Sequence, residues 1–348
     1  MYPSRSVLPR ALLGAIALAV VLTGCSKSQH TANAVATVAG TDITTDQLAR
    51  TAAVFTTLAA MNSQECGQTD GPTDTQEAAC NRLSLSTLIP WHLAESYAQA
   101  NGISVTDAAV QKSLDGFQNG VGADVLATQL AANNGTIDDV RELIRLSLVR
   151  AAVETDITAK HVDEAALHTR YQDSIGDYTT LHVDHILVDS QTAAQAVYDQ
   201  VTKPGATLAD FQALAKQVST DPNAAQDGGE LTLPADQLVP EFAAAALALQ
   251  PGEISQPVQT QHGWHVIRMI DQQVTPFKKA REKILQNAQT EEFDTWVRQQ
   301  NAAGQIIVDP SFGRFDDQQL IVVRITSTDP SATQVPPTDA VNGTTPSP

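Results

Sequence analysis

Between residues 181 and 271 the chain switches pattern repeatedly, reading strand, helix, helix, strand, helix, strand, strand in about ninety residues. No other feature of the 348-residue sequence restricts the fold as much, because so short a run closes a small α+β unit with its own core. Residues 181–188 read as a strand whose start alternates polar and apolar side chains. Helices are predicted over 192–201 and 208–218, then a loop, the Gly228-Gly229 pair and a short apolar segment at 230–233. An Ala/Leu-rich helix follows over 242–249, then strands at 257–260 and 264–270 joined by the tight turn Gln261-His262-Gly263.

The flanks read differently. A short strand, a turn and a return span 35–43, and Thr44 or Thr45 caps a helix. Helical periodicity recurs over 46–62, 83–101, 105–116, 122–132 and 136–157, with a further amphipathic helix at 161–171. The clearest is 136–157, where Ile137, Val140, Leu143, Ile144, Leu146, Leu148 and Val149 build a broad apolar face among Arg141, Glu142 and Arg145. After the mixed unit come a long helix at 276–300 and a strand-like 306–308. Residues 325–348 are Pro, Thr, Ser, Asp and Ala with little to bury, which predicts disorder.

Charge excludes whole classes of partner. With 21 basic against 39 acidic side chains, the formal net charge is −18. Phosphate backbones need clustered Lys and Arg, so nucleic acid is not expected, nor is charge-driven binding to an anionic membrane. The N-terminus sets the compartment. Arg5 and Arg10 precede an apolar run over 11–22, too short for the ~20 residues of a permanent span but suited to a signal peptide. The run ends in Leu22-Thr23-Gly24-Cys25, which resembles a bacterial lipobox and implies cleavage before Cys25 and a lipid on its thiol. The alternative is an ordinary secretory signal with an incidental cysteine. Export permits disulfides, and Cys66 and Cys80 then remain as a pair across a turn-rich insert. Two free thiols or a metal pair are the alternatives, and no histidine stands near to support a metal.

Several short motifs within 181–271 occur in one order. They are His185-Ile186-Leu187-Val188, Phe211-x-x-Leu214-Ala215, Gly228-Gly229-Glu230-Leu231, Leu238 with Phe242, Leu249-x-Pro251-Gly252-Glu253-Ile254-Ser255, Pro257-Val258 and Thr260-x-x-Gly263-Trp264-His265-Val266-Ile267. Together they resemble the parvulin-type peptidyl-prolyl isomerases, and the flanks resemble the chaperone part of SurA- and PrsA-like proteins. Thr232 departs from the pattern, standing where that family usually has glycine. The resemblance implies an α+β molecule. In it, N- and C-terminal segments form a helical chaperone domain, and a parvulin domain with a small antiparallel sheet is inserted between them.

The chemistry such a domain performs needs no cofactor and no metal. An X–Pro bond crosses a barrier of ~18–20 kcal/mol, and the enzyme need only bind the twisted amide better than either planar form. Leu238 and Phe242 match the family's apolar proline pocket, the plain alternative being simple core residues. His185 and His265 match its paired histidines, which hydrogen-bond each other, or else two buried rings that only satisfy one another. Asp221 aligns with a position where many parvulins carry Cys or Asp, although it also suits an ordinary Asp-Pro turn. Thr260 matches a residue bonded to the histidine pair, and His262 lies in the following turn, either lining the pocket or exposed. A metal reading of His182-x-x-His185 fails because i and i+3 on a strand face opposite ways. No basic cluster follows the first strand, so phospho-selectivity is not expected.

The resulting expectation is a signal peptide at 1–24, a lipidated Cys25 with tether to 34, and a helical chaperone segment at 35–178. A parvulin domain at 179–272, a returning helix and strand at 276–324 and a disordered tail at 325–348 follow. The function expected is isomerase and foldase for unfolded exported polypeptides with X–Pro bonds, on the outer face of the cell membrane. The rival is a non-catalytic holdase that uses the parvulin fold only to bind peptide.

Overall fold

The computed structural model describes residues 33–326, so the expected signal peptide and lipidated Cys25 lie outside the described residues, as does the tail beyond 326. Strands β1 (Ala34–Val38) and β2 (Thr41–Thr44) form a hairpin through Ala39 and Gly40, both at positive φ as a tight two-residue turn requires. Thr44 then caps α1 (Thr45–Met61) in a capping box with Gln47. Helix α2 (Gln76–Asn101) begins at 76 rather than 83, because Thr75 caps it by accepting the Ala78 N–H. A disulfide between Cys66 and Cys80, with Cα atoms 4.9 Å apart, ties the preceding loop to its first turns. There follow α3 (Asp107–Val121), α4 (Ala123–Ala132), α5 (Ile137–His161) and α6 (Glu164–Asp173). Thr136 and Asp139 box the start of α5, and Lys160 and His161 suit its C-terminal dipole.

The second unit runs from β3 (Thr179–Val188) through α7 (Gln191–Val201), α8 (Leu208–Val218) and a single turn, α9 (Ala224–Asp227). It continues with β4 (Glu230–Pro234), α10 (Pro240–Leu247), β5 (Val258–Thr260) and β6 (Gly263–Val274). The strands form one antiparallel sheet in the order β4-β3-β6-β5. Its two faces carry separate cores. Leu181, Val183, Ile267 and Met269 pack under Phe242, Ala243 and Ala246 of α10. Ile186, Val188 and Val266 pack under Ala194 and Val197 of α7 and Phe211 and Ala215 of α8. Strand β6 extends past the expected 270 to 274, and its added end pairs with the start of β3, Thr179 opposite Val274. Thr232 sits in β4 opposite His182, in a strand that continues without a break.

Helix α11 (Phe277–Ala302) leads to β7 (Ile306–Val308), which pairs with the free edge of β1 and gives the order β2-β1-β7. Phe293 and Val297 of α11 enter the same core as Val35, Ile43, Leu85, Ile89, Leu146 and Val153. The chain before and after the four-stranded sheet thus builds one body. A small cluster of Leu167, Tyr171, Tyr178, Ala280 and Ile284 closes the neck, where the Tyr171 hydroxyl donates to the Thr275 carbonyl at 2.8 Å. A final hairpin, β8 (Arg314–Asp316) and β9 (Ile321–Val323), follows where the expectation for 276–324 was a helix and a strand alone. It lies on α2, and the Val322 N–H donates to the Ser86 hydroxyl at 2.8 Å. No described helix is long and apolar enough to cross a membrane.

Candidate active site

Register places the two histidines. On β3, His185 stands opposite Ile267 of β6, and Leu187 stands opposite His265. His185 and His265 are therefore diagonal neighbours on one face, the face that α10 covers. Their ring centroids are 5.6 Å apart. Phe242, 3% exposed, descends from α10 edge-on to both, at 5.6 Å from His185 and 5.2 Å from His265. Leu238 precedes α10 rather than lying on it, and packs half-buried in the same cluster as Phe242.

Asp221 arrives from the loop after α8. Ser219 pins that loop to β3: its hydroxyl accepts the Leu187 N–H at 3.1 Å, while the Thr220 N–H donates to the Leu187 carbonyl at 2.8 Å. Asp221 then accepts the Asn223 N–H at 2.8 Å and lies 3.2 Å from Nε2 of His185. The positioning role of Ser219 went unseen in the sequence, since a serine after a helix has many uses. On the other side of His185, its N–H donates to the Gly229 carbonyl at 2.8 Å. A Cβ at Gly229 would sit 2.1 Å from the His185 carbonyl oxygen, and φ there is +87°, so both space and backbone demand glycine.

Thr260 ends β5 opposite Gly263, across the two-residue turn Gln261-His262. Its hydroxyl accepts the His262 N–H at 3.1 Å and lies 3.0 Å from Nε2 of His265. An oxygen already accepting one N–H is best used as a donor to the ring, which puts the His265 proton on Nδ1. Asp221, as an acceptor, places a proton on Nε2 of His185. The expected hydrogen bond between the two imidazoles is not formed. Each Nδ1 is buried without a partner, because each ring is oriented by its own Nε2 contact. His262 is exposed at the turn and stays outside the ring cluster.

Burial, helped by the charges of His185 and His262, lowers the pKa of His265 to about 4. Partial burial opposes ionisation of Asp221, but the Asn223 N–H and His185 outweigh it and hold that carboxyl below its ordinary range. The face thus offers an uncharged imidazole and a phenyl ring beside one anionic carboxylate.

The four-stranded antiparallel sheet and its pair of histidines under Phe242 are similar to the parvulin-type isomerases. Residues 185–271 match the family model of the PPIC-type PPIase domain, and residues 3–154 match the SurA-like N-terminal domain. The chain combines the two. Among curated relatives it is 29% identical over 198 residues to the foldase protein PrsA of Caldanaerobacter subterraneus, covering 57% of this chain and 59% of that one. It is 36% identical over 135 residues to the chaperone SurA of Pseudomonas fluorescens, covering 34% and 31%. The match spans 49% to 59% of the length of the first three such relatives. Among solved structures it resembles a peptidylprolyl isomerase (PrsA) from Bacillus cereus, at 26% identity and a TM-score of 0.46, covering 70% of this chain and 93% of that one.

Proposed function

We propose that the protein is a peptidyl-prolyl cis-trans isomerase and foldase for exported polypeptides, with catalysis on the sheet face that carries His185, Thr260 and His265, beside Asp221 of the loop after α8. The reading rests on one observation, the convergence of Phe242 edge-on to both imidazoles with a carboxylate and a hydroxyl behind them. Phe242 and Leu238 supply the apolar wall for the pyrrolidine ring. As the amide twists, conjugation is lost and its carbonyl oxygen sheds negative charge. A neutral His265 does nothing to hold the charged planar form, and the Asp221 carboxylate disfavours it, so the twisted form is bound better. His262 stands at the rim. The domain boundaries 35–178, 179–272 and 276–324 follow the same reading.

The test is the exchange rate of a proline tetrapeptide measured by NMR with the full chain. Asp221→Ala and Phe242→Leu are each expected to lower kcat/KM about tenfold or more, equivalent to ~1.4 kcal/mol of lost transition-state binding. No rate above the uncatalysed one in the parent protein would leave the holdase reading in its place.

Export and anchoring through a lipid on Cys25 complete the proposal. The Leu22-Thr23-Gly24-Cys25 sequence supports it, and so does the Cys66–Cys80 disulfide, a bond that persists in oxidising compartments. Labelling with a fatty-acid analogue should be lost in Cys25→Ala, with release of the protein from membranes.

A further inference from the structure

Beside His185 in the chain stands a buried acid that the isomerase face does not use. Successive residues of a strand point to opposite faces, so Asp184 lies on the far side of β3, toward α8. It is fully buried, and one of its carboxylate oxygens accepts the Gln212 side-chain amide at 3.1 Å. The other oxygen is buried with no hydrogen-bond partner. An anion held there by one donor is far costlier than a neutral carboxyl with one unpaired atom.

Charged groups approach it from three strands. Glu230 of β4 and Arg268 of β6 are its cross-strand partners, and His182 lies two residues back on β3. Burial raises its pKa and Glu230 adds to that, against the Gln212 amide, Arg268 and His182. The charges of the packed helices lie at the surface. Asp199 of α7, Asp210 and Lys216 of α8 and Asp227 of α9 are all exposed.

The contacts of this acid lead back to the imidazole. Gly228 rests on the Gln212 stem so closely that a Cβ there would lie 2.8 Å from the Gln212 Cβ. Gly229 follows, donating its N–H to Asp227 at 2.9 Å and accepting the His185 N–H at 2.8 Å. Asp184, Gln212, Gly228, Gly229 and His185 thus close a ring of contacts around the edge of β3. A charge on Asp184 calls for a second donor, and reaching one strains that ring.

We propose that Asp184 is a positioning residue for the isomerase face: as the neutral acid it keeps His185 in place through Gln212 and the glycine pair, and on ionising it lets His185 move. The inference rests on the isomerase reading and adds to it a loss of activity on the alkaline side, set from behind the sheet.

The test follows the proline tetrapeptide exchange rate of the full chain against pH, with the Asp184 carboxyl and the His182 ring titrated by carbon NMR in the same samples. The rate should fall about tenfold as the carboxyl loses its proton, since small displacements of a site group cost that much or more. The His185 amide resonance should move with the same midpoint. Asp184→Asn, which keeps the shape without the charge, should remove this fall. Gln212→Leu keeps the stem under Gly228 but deletes the one donor, so carboxyl midpoint and activity limb should move together to higher pH. A rate indifferent to the carboxyl titration overturns the proposal. So does a limb that survives in Asp184→Asn, or one that tracks His182, whose pKa Glu230 raises. Should either variant fail to fold, coincidence of the three midpoints in the parent protein decides. A chain that catalyses no exchange at any pH fails the isomerase reading instead, and there the His185 amide alone upholds or overturns the coupling.

Discussion

His265 carries a cost that acid exposes. Its pKa is about 4 in the folded protein, against 6.5 in the unfolded chain, so the unfolded state binds the extra proton between those values. Its contribution is complete above pH 6.5 and is lost as pH falls through 4, a swing on the order of 3 kcal/mol. Denaturation midpoints of the parvulin unit should fall accordingly between pH 7 and 4. Asp184 works the other way. It is fully buried with one carboxylate oxygen unpartnered, and burial raises its pKa despite the Gln212 amide, so its contribution weakens as pH rises. Asp184→Asn is expected to steepen the loss in acid. Gly229→Ala should remove both activity and the β3–β4 pairing at His185, seen as loss of slow-exchanging amides in β3, because the new Cβ meets a backbone oxygen that cannot yield. The sequence carried the residue types of this site well, since glycine pairs and spaced histidines leave marks in one dimension. It could not carry the ring orientations. Those depend on which Nε2 contact wins, Asp221 for one histidine and Thr260 for the other, and that is decided by loops folded back on the sheet.

Among the elements, those with strong local signals were the legible ones. Amphipathic α5, with its Thr136 box, and the β5–β6 hairpin, with Gly263, announce themselves. Helix α2 began early because one threonine cap decided its start, and periodicity cannot see a cap ahead of a polar first turn. The hairpin of β8 and β9 was illegible for another reason. Its strands are three residues each, and it is held from outside, by Ser86 at Val322 and by the Asp70 carbonyl and Thr73 hydroxyl at Arg324. Those last contacts fall on the loop that the Cys66–Cys80 bond closes. Replacing both cysteines by serine should cost the helical body about 3 kcal/mol in the chain-entropy model for a loop of about fifteen residues. Urea unfolding followed by far-ultraviolet circular dichroism measures it, and β9 amides should exchange faster in the variant.

For the molecule as a whole, the helical body depends on chain from both ends. Strand β1 has β2 on one edge and β7 on the other, and α11 contributes Phe293 and Val297 to the shared core. Truncation after Val274 should therefore unfold that body while the four-stranded unit, with a core on each face, stays native. Two-dimensional NMR of the truncated chain would display one dispersed set of peaks of about the unit's size. The converse deletion, replacing 179–274 by a short Gly/Ser link, should leave the helical body folded with its melting cooperative.

Thr179 and Val274 are cross-strand partners, so the chain leaves the body and returns to it at nearly one point. Topologically the four-stranded unit is a cassette on a single hinge of thread. A helical body built in this way can lose, duplicate or exchange that unit without rerouting any of its own backbone, and a graft with equally close termini would find the same socket.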